Sequence, residues 1–168
     1  MISIPKATIE LFNDLDPQSK VWLYASDRLL SEIETEQINE RILTFTKQWT
    51  AHDVALKGTG KVIFNRFIVL AVDESHTNAS GCSIDKSVHF IKGIEKEYGL
   101  NLFDRLKIYY QQDNGMNAFH FNDLKDVLAK NQISEDTLIF DTTITKLDQL
   151  QIGFVKEASK SWLGKFMN

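Results

Sequence analysis

The chain has 168 residues, of which 43% are hydrophobic, 25% charged and 11% aromatic, and its formal net charge is −4. This length suits one domain that buries a core without staples, and the composition excludes a disordered chain. The single cysteine, Cys82, excludes an internal disulfide and a multi-cysteine metal site. No block of lysine or arginine marks a nucleic-acid phosphate track, and no apolar run approaches the ~20 residues of a membrane helix.

Residues 1–10 lack a basic stretch followed by an apolar one, so no secretion signal is expected. With the lone thiol, this points to a cytoplasmic protein. A turn at Asp14-Leu-Asp-Pro-Gln-Ser19 opens onto Val21–Ala25, which reads as the first strand. A helix follows. Ser31 and Glu34 have capping-box spacing, although Thr35 also suits its start. Ile38, Ile42, Phe45 and Trp49 form one apolar stripe along it.

Phe67–Val72 is apolar on both faces, as a central strand should be. Its partner is placed at about Leu56–Phe64, with a tight turn at Asn65-Arg66. The rival is a turn at Gly58-Thr-Gly60 and a longer second strand. The second helix carries Ile84, Val88, Ile91, Ile94 and Tyr98, with Ser83 as its expected N-cap and Gly99 as its C-cap. Leu106–Tyr110 then reads as a fourth strand.

The order β-α-β-β-α-β predicts an α/β (α+β) ferredoxin-like sandwich with its first and third strands central. The expectation is one domain over 1–168, with a core at about 20–111. Residues 112–168 are a helix-strand extension, with a helix near Asn122–Lys130, a strand at Thr137–Phe140 and a tail, Ser161–Phe166, whose aromatics dock. Either this extension or a second copy of the chain, in a homodimer through the sheet face, should cover the open face of the sheet.

Three motifs invite chemistry. Gly58-Thr-Gly-Lys61 fails as a phosphate loop, because Ala55 stands where a glycine is needed and Val62 where a Ser or Thr is needed. His52 and Asp53, or Asp73 with His76, lack the convergent spacing of a metal site, so no metal or cofactor is expected, and His76, His89 and His120 read as ordinary histidines. Ala79-Ser-Gly-Cys-Ser-Ile-Asp85 leads from a strand into a helix N-terminus, where backbone N–H groups favour an anion or a Cys82 thiolate. The plain alternative is that Ser80, Gly81 and Ser83 only cap the helix. The expected topology gathers His52, Asp73, Glu74 and Cys82 on one edge. There His52 and Cys82 are catalytic candidates, and Asp73, Glu74, Ser80, Gly81 and Ser83 are ligand-binding candidates.

The segments Trp49-Thr-Ala-His52, residues 65–74, Ala79–Asp85, Phe90-Ile91, Leu102-Phe-Asp-Arg105 and Ser161-Trp162 together resemble a family of short uncharacterised bacterial proteins. Its members often carry the label "ABC transporter ATPase". The likeness runs from Val21 to Phe166 and implies no catalytic residue. The label has no support in this chain, which lacks a Walker loop and a Leu-Ser-Gly-Gly-Gln signature. The chain departs from the family at Asp53, where relatives have Gly, so a glycine turn beside His52 is not implied. Asn122 to Phe140, a helix followed by Ile133-Ser-Glu-Asp-Thr-Leu-Ile-Phe140, resembles the helix-then-strand unit of small GYF-like modules, which bind proline-rich peptides. The naming Gly-Tyr-Phe triplet is absent. The functional expectation is a protein without ATPase activity that binds a protein partner or small ligand, the alternative being a thiol-dependent enzyme or anion binder at the Cys82/His52 edge.

Overall fold

The computed structural model describes residues 6–167; residues 1–5, half of the stretch searched for a secretion signal, lie outside it. In chain order the elements are α1 (Lys6–Phe12), β1 (Lys20–Ala25), α2 (Glu32–Gln48), β2 (Thr50–Ala51), β3 (Val54–Ala55), β4 (Lys57–Ile63), β5 (Phe67–Asp73), α3 (Gly81–Tyr98), β6 (Lys107–Gln112), β7 (Gly115–His120), α4 (Leu124–Ala129), β8 (Leu138–Phe140), α5 (Leu147–Gly153) and β9 (Val155–Glu157). Short 3₁₀ turns cover Phe121–Asp123, Ala158–Lys160 and Trp162–Phe166. The chain is mixed α/β with antiparallel sheets. It divides into two compact units, one of residues 6–103 and 144–151 and the other of residues 104–143 and 152–167.

The first unit is built on a three-stranded sheet in the order β1-β5-β4. All seven residues of β5 are buried, as its two-sided apolar sequence requires. Ile68, Leu70 and Val72 share a core with Ile38 and Ile42 of α2 and Ile91 and Ile94 of α3. On the outer side of β1, the Val21 N–H donates to the Thr145 carbonyl (2.9 Å), and Lys20 bridges Lys146. The ferredoxin-like sheet expected from the element order does not form. β1 pairs antiparallel with β5 as expected, but it is an edge strand, because the fourth strand, β6, pairs with β7 and β8 instead. Residues 113–120, which carry few apolar side chains, supply β6 with a hairpin partner next to it in sequence, and such local pairing closes a far shorter loop than a return to β1. β5 is covered within one chain.

The turn between β4 and β5 is Phe64-Asn65-Arg66, which contains the expected Asn65-Arg66 and adds Phe64; Phe64 and Asn65 both have left-handed backbone (φ 55° and 53°). Gly58 and Gly60 are therefore strand residues. A Cβ on Gly60 would lie 2.6 Å from the Val69 carbonyl oxygen and 2.7 Å from Ile42 Cγ2, and one on Gly58 would lie 3.3 Å from the Trp49 ring. These glycines form a notch that lets α2 and Trp49 approach the sheet, which is their physical role in place of a turn.

α2 begins as the Ser31–Glu34 spacing predicts, with both reciprocal cap hydrogen bonds present. The N-cap of α3 lies three residues before the expected one. Ser80 is the N-cap and Ser83 the third helical residue, and the two close a capping box with serine at the second position. Gly99 ends the helix in the left-handed conformation (φ 63°). Trp49, at the end of α2, donates its indole N–H to the Ser83 carbonyl at 2.8 Å, tying the end of one helix to the start of the next.

The second unit is a four-stranded antiparallel sheet in the order β7-β6-β8-β9. Ile108 and Tyr110 of β6 and Ile139 of β8 pack with Leu124 and Val127 of α4, Ile133, Ala158 and Leu163. The expected helix and strand near 122–130 and 137–140 are both present.

Candidate functional site

The edge expected around Cys82 holds its residues in separate duties. Cys82 is an exposed thiol in the first turn of α3. His52 is exposed at the tip of the β2–β3 hairpin, where it and Asp53 both adopt left-handed backbone (φ 50° and 63°). His52 and Asp53 together form this tight turn. No hydrogen bond joins His52 to Cys82 among the described residues. Ser83 is fully buried; its hydroxyl donates to the Ser80 carbonyl (2.8 Å) and accepts the Ser80 N–H (2.7 Å). Ser80 in turn accepts the Ser83 N–H at 3.2 Å. Gly81 is exposed and has open space where a Cβ would stand.

The two carboxylates are also occupied. Asp73 accepts the N–H and hydroxyl of Ser75 on Oδ1 and the N–H of Asp16 on Oδ2, and Lys57 Nζ lies 3.5 Å away. The Ser75 hydroxyl, first among these, holds the Asp73 carboxyl well below the usual carboxylate range. Glu74 accepts the Ala79 N–H at 2.9 Å and pairs with Lys20 at 3.1 Å. These bonds fix the 74–80 loop against β5 and the start of α3. The structure therefore brings Ser80 and Ser83 together, and uses Asp73 and Glu74 to shape the backbone.

A different feature stands out in the second unit. A groove of about 250 Å³ is lined by Arg105, Leu106, Lys107 and Ile108 at the start of β6, by Phe121, by Ile139 and Phe140 of β8, by Thr142 and Thr143, and by Trp162. Phe121 is 37% and Phe166 41% exposed, unusual for phenylalanine. Their rings form a cluster with Trp162: Phe121 lies 5.9 Å from Trp162 and 6.1 Å from Phe166, and Trp162 lies 6.1 Å from Phe166 at 90°. The tail aromatics, expected to dock, do so only in part. Trp162 and Met167 pack on the core, while Phe166 remains at the surface.

The wall of the groove beside Thr142 is held by Asp141. Burial alone would raise the pKa of this carboxyl, but the Lys156 ammonium at 2.8 Å and the N–H and hydroxyl of Thr143 outweigh it and hold the group below its ordinary value. Sequence reasoning missed the groove, because Phe121 lies far along the chain from Trp162 and Phe166 and none of the three belongs to a regular apolar stripe.

Among the described residues no group of three or more His, Cys, Asp or Glu side chains is arranged to hold a metal ion. No described helix is long and apolar enough to cross a membrane. No family model, curated protein or solved structure matches the chain.

Proposed function

We propose that the protein is a binding protein without ATPase activity, and that its ligand is an extended, proline-containing segment of a protein partner held in the aromatic groove of the second unit. The observation that carries this reading is the pair of exposed rings, Phe121 and Phe166, clustered with half-buried Trp162 beside that groove. Rings inclined at 45° to 90° to one another leave clefts between their faces, into which flat apolar residues fit. A polyproline segment is pre-stiffened and has no internal hydrogen bonds to break, so it loses little entropy on docking against such rings. Against nucleotide hydrolysis stands the placement of Gly58 and Gly60 inside β4, where they accommodate α2.

Isothermal titration of the protein with a blocked proline-rich decapeptide tests the reading. Binding is expected in the micromolar range and should weaken about tenfold or more in Phe121→Ala, an exposed position whose loss leaves the core intact. No heat of binding at ligand concentrations up to about 1 mM, or equal affinity in Phe121→Ala, would refute it.

A further inference from the structure

We infer that Asn114 is a site of spontaneous covalent modification, in which its side-chain amide is lost as ammonia through a cyclic imide formed with the backbone nitrogen of Gly115. The inference does not depend on the peptide-binding reading. Asn114 is the one asparagine in the chain that glycine follows. It is exposed at the tip of the β6–β7 hairpin, in the turn Asp113-Asn114 between Gln112 and Gly115. Its side-chain amide makes no hydrogen bond among the described residues.

The reaction requires the nitrogen of the following residue to reach the asparagine Cγ, and a side chain on that residue hinders the approach. Glycine has none, and the space where a Cβ would stand on Gly115 is open. Hydroxide removes the Gly115 N–H proton and the nitrogen attacks Cγ. The new C–N bond forms as the bond to the amide nitrogen breaks, and that nitrogen takes a proton from water and leaves as ammonia. Water then opens the imide at either carbonyl. One opening gives aspartate; the other gives isoaspartate, in which the main chain runs through the side-chain carbon. In sum one water is consumed and one ammonia released, with no change of oxidation state. Gly115 pairs with Gln112 at the end of the β6–β7 ladder, so the native chain reacts when that end frays. Asp113 beside it holds a left-handed backbone (φ 51°), which disfavours the closed turn. Both products place a second carboxylate next to Asp113. Isoaspartate also lengthens a turn whose two residues set the register of the hairpin.

The test incubates the full chain at mildly alkaline pH and maps its tryptic peptides by mass spectrometry. The peptide Ile108–Lys125 should gain one mass unit and split into two chromatographic forms, faster as hydroxide rises. Fragmentation should place the change at Asn114 rather than at Asn117 or Asn122, which share that peptide. Gly115→Ala should slow the change several-fold; Gly115 lies outside the left-handed region and has room for a methyl, so the variant keeps the hairpin. The parent unfolded in urea serves as the reference and should react faster than the native chain. A native chain that stays unchanged while the unfolded one reacts would overturn the inference, because the hairpin then protects the site. A change at Asn117 or Asn122 in place of Asn114, or an equal rate in Gly115→Ala, would overturn it as well.

Discussion

The carboxylate of Asp73 sits almost wholly within the protein, and Ser75, Asp16 and Lys57 satisfy it there. Its folded-state pKa lies below the unfolded value near 3.9, so its stabilisation is complete above that value and is lost as pH falls toward the folded one. Glu34, paired with Arg28 at 2.8 Å and bonded to the Ser31 N–H, follows the same sign, its pKa lowered to about 2. Asp73→Asn should therefore be less stable than the parent at pH 7, and the gap should narrow by pH 3, where the carboxyl of the unfolded parent takes up a proton that the folded one does not; urea unfolding at the two pH values measures this. A gap that does not change with pH would show that the charge of Asp73 contributes nothing. Asp53 offers a second case at this scale. It holds a left-handed backbone at an exposed two-residue hairpin tip, where a Cβ is unfavourable and glycine is preferred. Asp53→Gly should raise stability by about 0.5–1 kcal/mol, the scale of a relieved left-handed residue less the added freedom of the unfolded chain, read as a higher melting temperature.

At the scale of elements, Gly60 decides how closely α2 meets the sheet. Gly60→Ala would place a methyl against the Val69 carbonyl, Ile42 and Leu70, all nearer than van der Waals contact allows. A loss of about 1–3 kcal/mol is expected from such overpacking. Gly93→Ala, exposed inside α3 with open space around it, should instead gain about 0.5–1 kcal/mol from helix propensity. Chemical denaturation of the pair checks both, and a neutral Gly60→Ala would remove the notch explanation. The same elements show what a sequence can convey. α2 was legible because Ile38, Ile42 and Trp49 repeat at helical spacing and are indeed buried, with Ser31 and Glu34 marking the start. The start of α3 was less so, since its buried face there is made of Ser83 and Ser87, whose hydroxyls bond backward to the Ser80 and Ile84 carbonyls and give no apolar signal. β7, Gly-Met-Asn-Ala-Phe-His, has no clean alternation and does not read as a strand, although Asp113-Asn-Gly115 at its start carries turn chemistry. Without β7 in view, β6 has only β1 to pair with in the expected order. The groove was illegible for a further reason: its rings come from a 3₁₀ turn after β7 and from the C-terminal turns, and only tertiary structure brings them together.

At the scale of the whole molecule, the two units differ in what they leave open. In the first, the polar residues between β5 and α3 are bonded to one another and to the backbone, which makes the Cys82 edge a well-capped helix start. In the second, the rings of Phe121 and Phe166 are exposed beside the groove. The account therefore places the ligand in the second unit. Backbone and indole amide shifts, followed by ¹H–¹⁵N NMR as the blocked proline-rich decapeptide is added, locate the site without relying on any variant. The account predicts that the shifts of Lys107, Phe121, Ile139 and the Trp162 indole move with the peptide, while those of His52 and residues 80–83 stay in place. Movement centred on residues 80–83, or no movement anywhere, would contradict it.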